Sequence, residues 1–457
     1  MADPSSDSAT VELGWLGRRP CLARHERHLT GPAGAQIHVR TVGSGPPLVM
    51  LHMSPLTSAH LMPLAAELAD THTCLVIDTP GYGHSDPLEG DPEIGDFAER
   101  ILAGLADWGL RGAALYGSHT GAKIALAMAL ADPGAFSTLV LDGLRLTDQA
   151  QRTARLAEYI PELPPVADGS HLLESWDRVW RTSADWKFFP DIRTRCEEVN
   201  WLLVPELTAR PWYGQSYRAA FRCDPAHQLA AVEAPVLLLT RSTDELGRRT
   251  PTPRLPHVSS AEADDTAGER QVAVAIVHHL AGRPGGSMTR PDTGNPARSL
   301  IPTPGGGIEV RRRTATAGRP TVRIHTPLSP RLPGDIEIDL PGTGGSEWEA
   351  GAWSGPAAGE AITAGLALIG ITPAVVEVDP SSLTPDAPLW PALRTARPVP
   401  DGSHLTSVWT ALRDSQPDPA DLAAVHRNFS NLLRMSIDPA GLAAPAVLVP
   451  TSPGGDT

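Results

Sequence analysis

The sequence predicts an α/β protein: a mostly parallel sheet with helices on both faces and a helical cap, followed by a truncated second unit of the same kind. Three observations predict it. Short, fully apolar runs alternate with helical patterns over about residues 30–282, and strands apolar on both faces belong to parallel sheets covered by helices. The stretch "LYGSHTGAKIALAMALADP" joins one such run to a long alanine-rich helix through a turn framed by Gly117 and Gly121. Several short patterns of the first half recur, in the same order, in the second.

Residues 1–29 read as an N-terminal segment, and the unit of residues 30–282 then builds up in order. "AQIHVRTVG" and "PPLVMLH" are strands, "LMPLAAELAD" is a helix, "TCLVID" a strand and "TPGYGHSDP" a turn. The helix "DFAERILAGLADWGL", the strand "AALYG", the glycine-framed helix and the strand "STLVLDG" follow. A Trp-rich stretch over about residues 146–229 interrupts the alternation and is the expected cap. "APVLLLTRSTDEL" and "RLPHV" resume as strands, and "ERQVAVAIVHHLAG" closes the unit with a helix. Residues 283–304, rich in Gly, Pro, Ser and Thr without periodicity, read as a flexible linker.

Residues 305–452 read as a degenerate copy, with residues 453–457 as a tail. "PTVRIHTP" echoes "PLVMLHMSP", and "IEIDLPGTGGSEW" echoes "LVIDTPGYGHSDP". "PDGSHLTSVW" echoes "ADGSHLLESW", and "DPAGLAAPAVLVPT" echoes "DPAHQLAAVEAPVLLLT". Between Thr326 and Asp339 there is no room for the helix that "LMPLAAELAD" supplies, and "PAVVEVDPSSLTPD" has neither a glycine frame nor a long helix behind it. The copy is therefore expected to carry no active site, and instead to dock on the first unit, complete its cap or support self-association.

Composition narrows the function classes. With 457 residues, 41% hydrophobic, the chain is long enough for two cores. A net charge of −14 argues against nucleic-acid binding, which needs a concentrated basic face. Cys21, Cys74, Cys196 and Cys223 lack disulfide or metal-ligand spacing. The polar start "MADPSSDSAT" lacks a signal-peptide layout, and no apolar run reaches the roughly 18 residues of a spanning helix. A cytoplasmic protein with a small-molecule substrate, no membrane or nucleic-acid partner, no metal and no cofactor is the expectation.

The elbow carries the chemistry. In a Gly-x-Nuc-x-Gly turn the central residue sits in strained backbone and is normally serine, but here it is His119. Imidazole there is a candidate general base, a nucleophile or a metal ligand, or else an inert histidine. Ser118 stands one residue early and is expected to point away, with a displaced nucleophile as the lesser alternative. Backbone N–H groups of Thr120 and Met53 are the candidate oxyanion donors, with Ser54 or Thr57 as possible hydroxyl additions. Asp244, in "LLLTRSTDEL", is the candidate orienting acid, and Asp142 after "STLVL" the alternative. For the base, either His257 in "RLPHV" is shifted into service or the triad is broken at two of its three positions; the latter is favoured.

The cap carries Trp176, Trp180, Trp186, Trp201 and Trp212 with Tyr213 and Tyr217, suited to an apolar or aromatic substrate or to the cap's own small core. His171, Trp176 and Ser118 are the candidate pocket residues. Because "DGSHL" recurs with His404, a structural role for His171 at a helix start is favoured over a catalytic one. Lys123, one turn along the elbow helix, reads as a solvated or cap-facing charge. The "HERH" stretch at residues 25–28 is discounted as a metal site, since i and i+3 face opposite sides of a strand.

Through "LVMLHMSP", "DTPGYGHSDP", "LYGSHTGA" and "APVLLLTRSTDE", residues 30–282 resemble the α/β-hydrolase superfamily. They resemble a bacterial branch in which "HTGA" replaces the serine elbow and "DGSHL" opens the cap. The resemblance implies the α/β-hydrolase fold. It implies hydrolysis of an ester or other activated carbonyl compound less narrowly, because the fold also hosts lyases and members without chemistry. The alternatives are a lyase or cyclase of secondary metabolism, and an inactive ligand-binding or scaffold protein.

Overall fold

The computed structural model describes residues 26–159, 163–183, 192–289, 298–325, 336–339, 375–378 and 399–433, with Ile362, apart from short breaks at 33–34, 210, 245–251, 267, 304–305, 313–320 and 416–417. The described residues divide into two units: those within 26–159 and 209–289, and those within 163–208 and 298–433.

The first unit is built on eight strands. They are β1 (Glu26–Thr30), β2 (Ile37–Val42), β3 (Pro47–Leu51), β4 (Thr73–Ile77), β5 (Ala113–Ser118), β6 (Phe136–Asp142), β7 (Val236–Arg241) and β8 (Val258–Ala263), in the sheet order β1-β2-β4-β3-β5-β6-β7-β8. β1 and β2 pair antiparallel, as do β2 and β4, and every later pair is parallel. This is the α/β-hydrolase fold that the resemblance implies.

Side-chain alternation along the central strands explains the two layers. Val49 and Leu51 join Leu75 and Ile77 in one core, while Leu48 and Met50 join Cys74 and Val76 in the other, because successive residues of a strand face opposite sides. Helices α1 (Met62–Leu68) and, late in the unit, Arg270–Leu280 supply the second core with residues such as Leu64 and Ile276. Helix α2 (Ile94–Gly104) presents Ile94, Phe97, Ala98 and Ile101, all buried, to the first core, a spacing that puts them on one helical face. Helix α3 (Thr120–Ala131) is buried from Thr120 through Ala129, which suits its run of small and apolar side chains between sheet and neighbouring helices.

After β6 come α4 (Gln149–Tyr159), α5 (Ser170–Ser183), α6 (Ile192–Ala209), α7 (Gly214–Arg222) and α8 (Pro225–Ala231). The α8 start shows its cause in sequence: Asp224 Oδ1 accepts from the N–H groups of Ala226 and His227, and Pro225 opens the helix. The helix Arg270–Leu280 is then α9. The expected cap over residues 146–229 is divided: α4, α7 and α8 stay with the eight-stranded unit, whereas α5 and nearly all of α6 belong to the other. Contacts, rather than chain position, decide that assignment.

The second unit carries β9 (Arg298–Thr303), β10 (Gly306–Arg312), β11 (Thr321–His325), β12 (Ile336–Asp339) and β13 (Val375–Val378), ordered β13-β11-β12-β10-β9. β10 pairs antiparallel with β9 and with β12, and β11 pairs parallel with β12 and β13. Strand for strand, this is the order and direction of β1 to β5. The register agrees too: Leu51 lies opposite Ile77, and Ile324 lies opposite Ile338. Helices α10 (Ser403–Asp414) and α11 (Leu422–Leu433) complete its described part.

The stretch read as a flexible linker, residues 283–304, is structured at both ends. Ser287 exchanges backbone hydrogen bonds with Arg111, and residues 298–303 form β9. Pairing with a neighbouring strand satisfies backbone groups that Gly- and Pro-rich composition had suggested were solvated. The shortened stretch after Thr326 and the segment after "PAVVEV" lie outside the described residues.

Candidate active site

His119 lies at the turn between β5 and α3. His119 adopts φ 48°, and among the described residues it is the one non-glycine with positive φ. Such backbone costs on the order of 1–3 kcal/mol and persists only where surroundings enforce it. Here the enforcement is visible. The His119 N–H donates to the Asp142 carbonyl at 2.8 Å, and the His119 carbonyl accepts from Ala122 N–H at 3.1 Å. A Cβ on Gly117 would lie 2.4 Å from the Gly121 carbonyl oxygen, and one on Gly121 would lie 2.4 Å from the Leu51 oxygen. The two glycines thus let α3 press against β5 and against the end of β3. The same Cβ on Gly121, one residue after Thr120, would lie 2.7 Å from the His52 carbonyl oxygen.

His119 and Asp244 meet over β6. His119 Nε2 lies 3.5 Å from Asp244 Oδ2, with the two side chains 29% and 14% exposed. The distance is longer than a good N–H···O bond, as is common before substrate tightens a site. A Cβ on Gly143 would lie 2.6 Å from His119 Nε2 and 3.0 Å from Asp244 Oδ2, so only glycine leaves room for the pair.

The alternative acid, Asp142, is committed elsewhere. Its Oδ2 accepts from Tyr116 Oη–H at 2.6 Å and from Arg241 Nε–H at 2.8 Å, and Arg241 also bonds both oxygens of Glu269 at 2.9 Å. Burial works against the Arg241 charge, but Asp142, Tyr116 and Glu269 together hold its pKa above the ordinary value. Burial, reinforced by Asp142, raises the Tyr116 hydroxyl well above its ordinary value. This network braces the carboxyl ends of β5, β6 and β7 beneath the elbow.

The structure does not bring His257 to the site. His257 precedes β8, its carbonyl accepts from Val236 N–H at the start of β7, and its Nε2–H donates to the Leu229 carbonyl at 3.0 Å. It lies at the amino ends of parallel strands, and a strand rises about 3.3 Å per residue, so a six-residue strand separates it from the edge that bears His119. The described loop after β8 instead carries Asp264, Asp265 and Thr266. Asp265 accepts from Ser242 Oγ (3.0 Å), Thr243 N–H (3.1 Å) and Thr243 Oγ1 (2.7 Å), fixing the turn that presents Asp244. Sequence reasoning missed Asp265 and Arg241; the signal for the first was the acidic pair after a strand, which reads equally as an exposed turn.

The remaining candidates are placed as follows. Ser118 is buried at the end of β5, in register with Asp142. His52 is buried, its Nδ1–H donating to the Met53 carbonyl and its Nε2 accepting from Thr79 N–H, both at 2.9 Å; burial lowers its pKa and keeps it neutral. Ser54 Oγ lies 2.6 Å from Ser216 Oγ, and Tyr217 Oη–H donates to the Ser54 carbonyl at 2.9 Å, so the loop after β3 is tied to α7. Thr57 precedes a short helical turn at Ser58–Leu61. Lys123 is buried rather than solvated, its Nζ donating to the Ala220 carbonyl at 2.6 Å and standing 5.7 Å from the Phe221 ring centre. His171 and Trp176 are buried in the second unit. Among the described residues no group of three or more His, Cys, Asp or Glu stands in a metal-ligating arrangement, and no helix is long and apolar enough to cross a membrane. A cavity of about 140 Å³ lined by Pro47, Ala114, Thr138 and Leu280 opens at the amino ends of the strands, away from His119.

Residues 46–167 match the family model described as alpha/beta hydrolase fold. The chain is 35% identical over 68 residues to the pimeloyl-[acyl-carrier protein] methyl ester esterase of Shewanella woodyi, covering 15% of this chain and 25% of that protein. It is 37% identical over 84 residues to the 2-(acetamidomethylene)succinate hydrolase of Mesorhizobium japonicum, covering 18% and 30%. These matches span less than a third of either relative's length. Among solved structures, a hydrolase from Pseudomonas aeruginosa PA01 superposes with a TM-score of 0.45 at 18% identity, over 56% of this chain and 99% of that one. An esterase from Rhodococcus sp. ECU1013 gives 0.45 at 17% identity, over 57% and 99%.

Proposed function

We propose that this chain, which carries the alpha/beta hydrolase family sequence over residues 46–167, hydrolyses an ester or similarly activated carbonyl compound with His119 as its central catalytic residue. The observation that carries the reading is His119, held at φ 48° in the elbow with its imidazole 3.5 Å from Asp244. The names of the matched relatives, esterase and hydrolase, support the reaction class.

In this reading Asp244 holds the Nε2–H side of the ring, leaving Nδ1 to accept a proton. A water molecule gives that proton to Nδ1 as its oxygen bonds to the substrate carbonyl carbon. Asp244 stabilises the imidazolium so formed. The oxygen of the tetrahedral intermediate is held by the Thr120 and Met53 backbone N–H groups. The imidazolium then returns its proton to the leaving alkoxide as the carbon–oxygen bond breaks, giving acid and alcohol. One imidazole thus serves both proton transfers.

His119→Ala is expected to abolish turnover of short-chain esters while the unfolding transition stays cooperative; undiminished turnover overturns the role. Running the reaction in ¹⁸O-water is expected to label the acid product. Turnover without label would instead favour a lyase or cyclase, and ligand binding without any turnover a binding protein.

A further inference from the structure

The sequence D-G-S-H-L-x-x-x-W occurs at Asp168–Trp176 and at Asp401–Trp409, and within the second unit the two stretches bind each other. Trp176 Nε1–H donates to the Pro400 carbonyl at 2.9 Å, and Trp409 Nε1–H donates to the Ala167 carbonyl at 3.1 Å. Each acceptor is the residue just before the other stretch's aspartate. The His171 and Trp409 rings meet edge to face at 4.8 Å and 76°, and the His404 and Trp176 rings at 4.8 Å and 79°.

Within each stretch the local bonds also match. Val166 N–H donates to His171 Nδ1 at 3.3 Å, and Val399 N–H to His404 Nδ1 at 3.4 Å. A Cβ on Gly169 would lie 3.0 Å from Trp409 Cδ1, and one on Gly402 would lie 2.7 Å from Trp176 Cγ, both at φ values above +70°. The reciprocity continues into the next helices. His404 Nε2 lies 3.0 Å from Asn200 Oδ1 on α6, and the His171 ring lies 6.2 Å from His426 on α11. Val199 and Val425, one residue before Asn200 and His426, are both fully buried.

Contacts made twice with the roles exchanged define an isologous interface, in which one surface is complementary to itself. Unrelated segments packing together have no reason to repeat bonds in this way. The buried indole N–H groups of Trp176 and Trp409 donate to carbonyls beside the opposite stretch, so neither stretch satisfies its own tryptophan.

We propose that the helix pair opened by D-G-S-H-L-x-x-x-W, α5 with α6 and α10 with α11, is a self-complementary docking module whose partner is another copy of itself. In this chain α10 and α11 fill it in cis, and the same helix pair of a second chain fills it in trans when the cis copy is blocked. The second half thereby carries the partner helix pair.

Gly402→Val in the full-length chain places a branched side chain against Trp176 and blocks cis pairing. Sedimentation velocity over a concentration series is expected to show a discrete species of twice the wild-type mass, which adding Gly169→Val removes. An unchanged mass for soluble Gly402→Val, or a doubled species that persists in the double variant, overturns the proposal. If Gly402→Val is insoluble or only polydisperse, the decision falls to Thr406→Leu/Ser407→Glu/Val408→Ser, which makes the two nine-residue stretches identical. A self-complementary module keeps the wild-type mass and cooperative melting in that variant; loss of either overturns self-pairing.

Discussion

His119 Nε2 and Asp244 Oδ2 stand 3.5 Å apart at the carboxyl edge of the sheet, one on the turn after β5 and the other on the turn after β7. The intervening strand β6 separates their backbones, and Gly143 at its end gives the side chains space to meet above it. Among the described residues it is the one ion pair of His119.

Asp244→Asn keeps the shape of the acid and removes its charge. With His119 acting as general base, kcat is expected to fall by about 10²–10⁴-fold, with little change in KM. Steady-state kinetics on short-chain esters checks this, and partial recovery in Asp244→Glu separates charge from packing.

Asp265 acts one step back, through three hydrogen bonds to Ser242 and Thr243. Asp265→Ala is expected to lower kcat by roughly tenfold, since small displacements of a positioned group weaken proton transfer, while leaving thermal stability within about 1 kcal/mol. Rescue by Asp265→Asn, which retains one acceptor oxygen, is expected to be partial. An equal loss of kcat and stability would make its role purely structural.

Arg241 holds the buried carboxylate of Asp142. Arg241→Met leaves that carboxylate uncompensated and is expected to cost about 3–5 kcal/mol, read from urea midpoints. Arg241→Met/Asp142→Asn removes the orphaned charge and is expected to recover a large part of the loss. A double variant as unstable as the single one would place the cost in packing instead.

Burial holds His404 at about 4 against the opposing pull of Asp401, whereas an unfolded histidine titrates near 6.5. Between these values the unfolded chain binds a proton that the folded chain excludes, so stability present above pH 6.5 is lost as pH falls toward 4. The full effect is about 3 kcal/mol at most, at about 1.4 kcal/mol per pH unit. His38 and His279, also held near 4 mainly by burial, add to the wild-type slope. His404→Gln is expected to flatten the dependence of the urea midpoint on pH across this window relative to wild type; an unaltered slope would remove His404 from the account.

Much of the first unit could be read from sequence because its signals are local. Apolar runs such as "LVML" and "CLVI" lie in the central strands, and the Gly117–Gly121 frame marks the elbow. The placement of His257 was less accessible: "RLPHV" reads as a strand, whereas β8 begins only at Val258, and which end of that strand faces the site depends on its direction in the sheet. Likewise "LAGRPGGSM" and "PARSL" carry linker composition, and only pairing partners make Ser287 and β9 ordered. The sharing of α5 and α6 with the later residues was also beyond local patterns, since it rests on contacts between Trp176 and residues near Pro400.

By itself, the sequence determined much of the strand and helix succession of the first unit, the glycine-framed turn with histidine at its centre, and the recurrence of D-G-S-H-L-x-x-x-W. These are properties of period, turn chemistry and residue order. The tertiary structure alone decided that Asp244 rather than Asp142 faces His119, because Arg241 and Tyr116 already occupy Asp142. It alone decided, too, that each recurrent tryptophan bonds to the opposite copy. Both outcomes depend on which distant groups satisfy a buried charge or a buried N–H, and that competition is settled only when the chain is packed.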